Sequence, residues 1–269
     1  MGVDTAINFP CLPKDHLTTE GIIERLKGRD RAEKIIQYYR EQGDHRPESE
    51  IGFEMTRRAS DGTESTELVT VDVLLNAAAE LEGFSQYCVG CPANRTGKAF
   101  GCIGYINYPI SQQAELWMLK QLPGPEYPVL FLMLQKGVNE FGYTGETARE
   151  LRNQVGVFFE SADTFGRQFS EFNATTDSLF EMTFMLGPIQ PGHAAMLLLF
   201  YGAILRKGLD PATIMALSSN PDARETLLEQ YPFQMQIEQG DDHSIRDIKL
   251  FLQNLYLAYR LNVSLLLDV

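Results

Sequence analysis

The sequence predicts an α+β protein, predominantly helical, with a small N-terminal antiparallel β-hairpin and a cysteine-bearing loop. Three observations lead there. Apolar residues recur at helical spacing over most of the chain, the stretch between residues 51 and 73 reads as extended, and three of the four cysteines, Cys88, Cys91 and Cys102, lie close together in a glycine-rich segment.

The first helix is expected over about 19–42, where Ile22, Ile23, Leu26, Ile35, Ile36 and Tyr39 repeat with the period of one helix face and Gly28 interrupts them. Ile51, Phe53 and Met55 then alternate with Gly52, Glu54 and Thr56, and a second extended run covers Glu67–Val73. Asp61-Gly62 between the two runs offers the positive φ that a tight hairpin turn needs. Alanine, leucine and glutamate over Leu74–Phe84 favour a helix that delivers the chain to Cys88. The next segment, Tyr87–Asn107, holds Gly90, Gly97, Gly101 and Gly104 and reads as loop. Ser111 is placed to cap a helix over Gln112–Leu122, which Pro123 ends. Further helices are expected at about 126–140, 145–160, 176–186, 192–207, 211–218, 221–230 and 243–262. Asp210-Pro211 and Asn220-Pro221 each pair a capping side chain with a first-turn proline that needs no donor. The chain is read as a single domain, 1–269, with any subdomain break near 122–128.

Lysine and arginine total 23 against 36 aspartates and glutamates, a formal charge of −13 that repels phosphate backbones at long range, so no nucleic-acid partner is expected. The longest strongly apolar run, Ala194–Leu205, falls short of the roughly 20 residues a bilayer-crossing helix needs, so no membrane partner is expected either. No basic segment followed by an apolar run opens the chain, and the expected location is cytoplasmic.

The most distinctive chemistry lies in the cysteines. In Cys88-Val-Gly-Cys91 two thiols are spaced so that both sulfurs can turn toward one metal ion, with glycine permitting the tight turn. Cys102 returns from the loop between Gly101 and Gly104 as a third ligand. Cys11 would complete a four-sulfur site; His16, His45, His193, His243 or an open position are the alternatives. Tetrahedral sulfur ligation suits zinc, or alternatively an iron–sulfur cluster. The competing readings are a Cys88–Cys91 redox dithiol and inert buried thiols.

Other groups admit plainer explanations. Asp241, Asp242 and His243, with Asp247 beyond, can bind a cation, but Asp242 as the cap of the last helix explains them better. His193 opens an apolar helix and can sit at a pocket mouth or simply at a helix end. Phe158, Phe159, Phe165, Phe169, Phe172, Phe180, Met182, Phe184, Met185 and Met196 can line a site for a small apolar ligand, although a plain core explains them as well. Ile245, Ile248, Leu252, Leu255 and Tyr259 form a stripe on the last helix that packs internally or, in a homodimer, against a second copy. The expectation is therefore a soluble ligand-binding or interaction protein with a structural zinc at Cys88, Cys91, Cys102 and Cys11. The alternative is a redox protein or enzyme with an iron–sulfur or open zinc site at the same cysteines.

Overall fold

The computed structural model describes residues 2–58, 64–154 and 156–268. The first half of the chain runs β1 (Gly2–Ile7), α1 (Leu12–Leu17), α2 (Thr19–Glu41), β2 (Gly52–Arg58), β3 (Glu64–Thr70), α3 (Val71–Ala79), β4 (Ile103–Asn107), α4 (Gln112–Gln121) and α5 (Pro128–Glu140). The second half runs α6 (Glu146–Arg152), β5 (Gly166–Gln168), β6 (Asn173–Thr175), α7 (Thr176–Phe184), α8 (Pro191–Phe200), α9 (Pro211–Ser219), α10 (Pro221–Gln230), α11 (His243–Arg260) and β7 (Leu265–Asp268). The mostly helical α+β class is as the sequence predicts. Chain contacts divide it into two compact units, residues 10–100 and residues 1–9 with 101–269.

In the smaller unit α2 runs unbroken through Gly28, started by the Thr18 hydroxyl, which accepts from the Gly21 amide at 3.1 Å. Its buried Ala32 meets Ile51 and Val71, with Ile35, Ile36, Tyr39, Phe53, Leu74 and Leu75 packed around them. β2 and β3 form the expected antiparallel hairpin, in register from Gly52 opposite Thr70 to Arg58 opposite Glu64. The Asp61-Gly62 turn lies outside the described residues. The second strand stops at Thr70 because Val71 already opens α3 and is wholly buried in this small core. A 3₁₀ segment, Glu82–Cys88, then replaces the end of the expected helix over 74–84.

The larger unit is built on an antiparallel sheet in the order β4-β1-β7, three strands that the period of the sequence does not announce. β1 is central and buried on both faces, so Val3, Asp4, Thr5, Ala6 and Ile7 show no solvent-facing alternation. α11 packs against this sheet and α8, and Ile245, Ile248, Leu252, Leu255 and Tyr259 of its stripe are all buried within the chain, Tyr259 donating to the Leu217 carbonyl of α9 at 2.7 Å. Asn254 on α11 donates to the Thr5 hydroxyl at 3.2 Å, and a Cβ on Gly104 of β4 would stand only 2.5 Å from the Asn254 amide nitrogen. Glycine at 104 thus permits this close approach of helix and sheet.

Two expected helices end early for visible reasons. α6 stops at Arg152, after which Gly156 at φ 77° and a bridge between Ile110 and Phe159 carry the chain away. α8 stops at Phe200, two residues before Gly202 at φ 64°. The aromatic segment is core: Phe159, Phe180, Phe184 and Phe251 are buried and meet edge to face in sequence, with centroids 4.9–5.3 Å apart. Among the described residues no helix is long and apolar enough to cross a membrane.

Candidate functional site

The cysteines do not form the expected metal site. Among the described residues no group of three or more histidine, cysteine, aspartate or glutamate side chains is placed to hold a metal ion, and Cys11, Cys88, Cys91 and Cys102 are all free thiols. Cys11, Cys88 and Cys91 belong to the smaller unit and Cys102 to the larger. Hydrogen bonds do the work that a metal was expected to do. The Asn94 amide donates to the carbonyls of Cys88 at 2.8 Å and Lys98 at 2.9 Å, and its oxygen accepts from Gly97 at 3.0 Å. The Cys88 sulfur is itself engaged, accepting from the Phe100 amide at 3.2 Å. This overturns both the ligand-binding module with a structural zinc and its alternative, the iron–sulfur or open-zinc redox protein: the C-x2-C spacing serves a loop stapled by an asparagine.

The histidines scatter as well. His16 packs on Phe84 at 5.7 Å, His45 is exposed, and His193 is half-buried in the first turn of α8, where loss of water lowers its pKa from 6.5. Asp242 caps α11, accepting from the Ile245 amide at 2.8 Å. Burial raises the Asp241 carboxyl, but hydrogen bonds from Lys249 and the Glu238 amide outweigh it and leave its pKa lowered. The acidic group around His243 is therefore occupied in starting and bracing a helix.

A cavity of about 480 Å³ opens beside that cap, lined by Ser111, Gln112, Gln113, Leu116, Glu160, Asp242 and His243. Its residue types invite a nucleophile-and-base reading, which the geometry denies. Ser111 donates to Asp242 at 2.5 Å while accepting from the Ala114 amide, and Glu160 accepts from Gln112 at 3.1 Å. The His243 imidazole meets a different serine, Ser244, at 3.2 Å, and that hydroxyl is fully buried and accepts from the Ser111 amide. The hydroxyl–imidazole–carboxylate chain of a nucleophilic triad is thus missing among the described residues. The polar atoms here are the caps of α4 and α11.

A second cavity, about 510 Å³, has a different character. Its wall is formed by the start of α5, with Tyr127, Pro128, Val129 and Leu130, and by Leu209 in the loop before α9 with Pro211 and Ile214 in α9 itself; Glu126, Arg206, Lys207 and Gly208 complete it. The placement follows from local sequence. Pro128 and Pro211 both occupy first-turn positions, so two helices begin at the same mouth, and Asp210 caps the second by accepting from Thr213 at 2.7 Å.

Arg206 reaches this rim because α8 ends above it. Its Nε donates to the Leu199 carbonyl at 2.6 Å, and its Nη2 donates to Phe200 at 2.5 Å and to Gln121 at 2.7 Å, closing the C-terminal ends of α8 and α4. The guanidinium also lies 5.5 Å from the centre of the Tyr127 ring. Burial lowers its pKa, Tyr127 and Glu126 oppose that shift, and Arg167 adds to it. No carboxylate among the described residues forms an ion pair with Arg206 or with the exposed Lys207. Sequence reasoning passed over both residues; the available signal was a pair of cations between a glycine break and a proline-started helix.

A third feature, a buried ion cluster joining α4, α6 and α7, has no signature in the local sequence. Arg152, 3% exposed, bonds to Glu115 at 2% and to Asp177 at 0%, the latter at 2.5 Å, and also donates to the Thr176 hydroxyl and the Ser161 carbonyl. Asp177 receives a further bond from Thr164 at 2.6 Å, and the Arg152 guanidinium sits 4.0 Å from the Phe159 ring centre. Beside it Glu181 accepts from the amides of Gly145, Thr147 and Ala148 and so starts α6. Gly145 stands at φ 80° with the Asp177 side chain 2.8 Å from where a Cβ would be, a position that excludes other residues. Arg152, Glu115 and Asp177 are buried, the exposed Arg149 also reaches Asp177 at 3.7 Å, and the cluster braces the helices.

No protein-family model matches the chain, and neither a curated protein nor a solved structure matches it.

Proposed function

We propose that the protein binds a small, largely apolar molecule in the cavity between the start of α5 and the start of α9. The observation that carries this is the cavity itself: about 510 Å³, within the range of small-molecule sites, walled by Tyr127, Pro128, Val129, Leu130, Leu209, Pro211 and Ile214, with cations on its rim. An apolar wall with a few polar groups is the composition expected where burial supplies affinity and the polar groups set orientation. Phe180 and Phe184 are buried and pack on each other, which supports placing the ligand in this cavity instead of in the aromatic segment. Four free thiols favour a reducing compartment and support a cytoplasmic location.

Calorimetric titration of the whole protein with eight-carbon probes, octanoate, 1-octanol and octylammonium, tests the reading. At least one is expected to bind with a stoichiometry near one, and Leu209→Trp, which fills the cavity from its half-buried loop, is expected to abolish that binding while the circular dichroism spectrum stays unchanged. If all three fail to bind, or Leu209→Trp leaves binding intact, the reading is wrong.

A further inference from the structure

We infer that the ligand of this cavity carries a single negative charge, of carboxylate type, met by Arg206 and Lys207. The inference rests on the cavity as a binding site and adds what the site selects. Arg206 has five N–H donors, of which the one on Nε and both on Nη2 are committed to the carbonyls of Leu199, Phe200 and Gln121. The two on Nη1 bond to no group among the described residues, while the residue lines the cavity.

The committed Nε and Nη2 exclude the fork-to-fork pairing that uses two guanidinium nitrogens, leaving one nitrogen to meet an oxygen. Lys207 supplies a second, mobile donor on the same wall. The third charge of the lining, Glu126, is negative and accepts from the Gly124 amide at 3.2 Å. Two cations and one anion leave the lining with one net positive charge, which balances a monoanion and penalises a dianion. In a chain of formal charge −13 a net positive concavity runs against the surrounding field, and it stands out as selective for that reason. The apolar remainder of the lining takes the rest of the molecule. The ligand class is thus an amphipathic monocarboxylate: one acid group and an apolar body.

The three probes share one apolar chain and differ in head-group charge, so their ranking isolates the electrostatic part. Octanoate is expected to bind at least ~10-fold more tightly than 1-octanol, with octylammonium the weakest. Lys207→Gln, an exposed and structurally quiet substitution, is expected to reduce the advantage of octanoate over 1-octanol about 3-fold, and raising salt to about 1 M is expected to erode it further. Octyl phosphate, a dianion near pH 8, is expected to bind more weakly than octanoate. Equal affinities for octanoate and 1-octanol, or an advantage indifferent to Lys207→Gln and to salt, would overturn the anion inference while leaving the cavity reading standing. A preference for octyl phosphate would overturn the monoanion part. Failure of every probe would remove the cavity reading, and this inference with it.

Discussion

The Arg152 cluster and the Arg206 rim are two answers to one difficulty, an arginine that has lost much of its water and cannot give up its proton. Around Arg152 the answer is carboxylates: Glu115 and Asp177 bond to it, threonines and a carbonyl complete the shell, and the residue is 3% exposed. Around Arg206 it is carbonyls at two helix ends, which hold the side chain through the negative poles of α8 and α4 and leave one nitrogen uncommitted on a residue that lines a cavity. Arg224 is a second arginine held at a helix end by oxygen acceptors, with its Nε buried and unpartnered. It is 4% exposed, has no carboxylate bonded to it among the described residues, and donates to the Tyr259 carbonyl and the Asn262 side-chain oxygen at the C-terminal end of α11. Arg206 in addition lines a cavity. A closed charge cluster braces; an open one can recognise.

The largest effect should come from breaking the closed cluster. Arg152→Met leaves Glu115 buried without its cation and Asp177 with only Arg149, 3.7 Å away and exposed, and the expected cost is about 3–5 kcal/mol by chemical denaturation, enough to threaten folding at 37 °C. Glu115→Gln in the Arg152→Met background should recover part of that loss, since the charge left without a cationic partner is gone. A loss below about 1 kcal/mol would mean that the cluster is wet and that the contrast with Arg206 is drawn in the wrong place.

Next in size are the two carbonyl-capping arginines. Arg206→Met and Arg224→Met are each expected to lower stability by about 2 kcal/mol, less than Arg152→Met, because neutral carbonyls left behind at a helix end are cheaper than buried carboxylates. Only Arg206→Met should also change octanoate binding. Equal effects of both variants on binding would show that the cavity senses general loosening of the fold.

These arginines explain which parts of the molecule were legible in the sequence. Helices with amphipathic faces and side-chain caps were readable: Ser111, Asp210, Asn220 and Asp242 each accept the expected amide hydrogen bonds, because capping is decided within four residues. The sheet β4-β1-β7 was not, since its central strand pairs the N-terminus with residues more than ninety positions away and buries both faces, erasing the period of two. The same distance hid the Arg152 cluster, whose partners lie 37 and 25 positions away on other helices. The cysteine spacing misled for the opposite reason. C-x2-C is local and satisfies a metal knuckle on paper, while the loop closes through Asn94, a residue whose bonds to Cys88, Gly97 and Lys98 no spacing rule reports.

A smaller effect attends the start of α6. Glu181→Gln keeps the shape but replaces a charged acceptor of three amides with a neutral one that has a single acceptor oxygen, and the expected cost is about 1 kcal/mol, with earlier hydrogen exchange at Thr147 and Ala148. Unchanged exchange there would mean that the helix is set by Gly145 and not by the carboxylate.

The smallest expected effect belongs to His193, which shows what a group does when it can discard its charge. It is half-buried with neither carboxylate nor carbonyl bonded to its ring among the described residues, and burial lowers its pKa from 6.5. With the folded value below the unfolded one, the unfolded chain binds more protons in the window between them. Stability is therefore full above pH 6.5 and falls as the pH drops through 6.5 toward the folded value. A proton NMR titration of the imidazole should place the midpoint below 6.5, and His193→Gln should flatten the stability profile in that window alone. A midpoint at or above 6.5 would mean that His193 is solvated or has a negative partner.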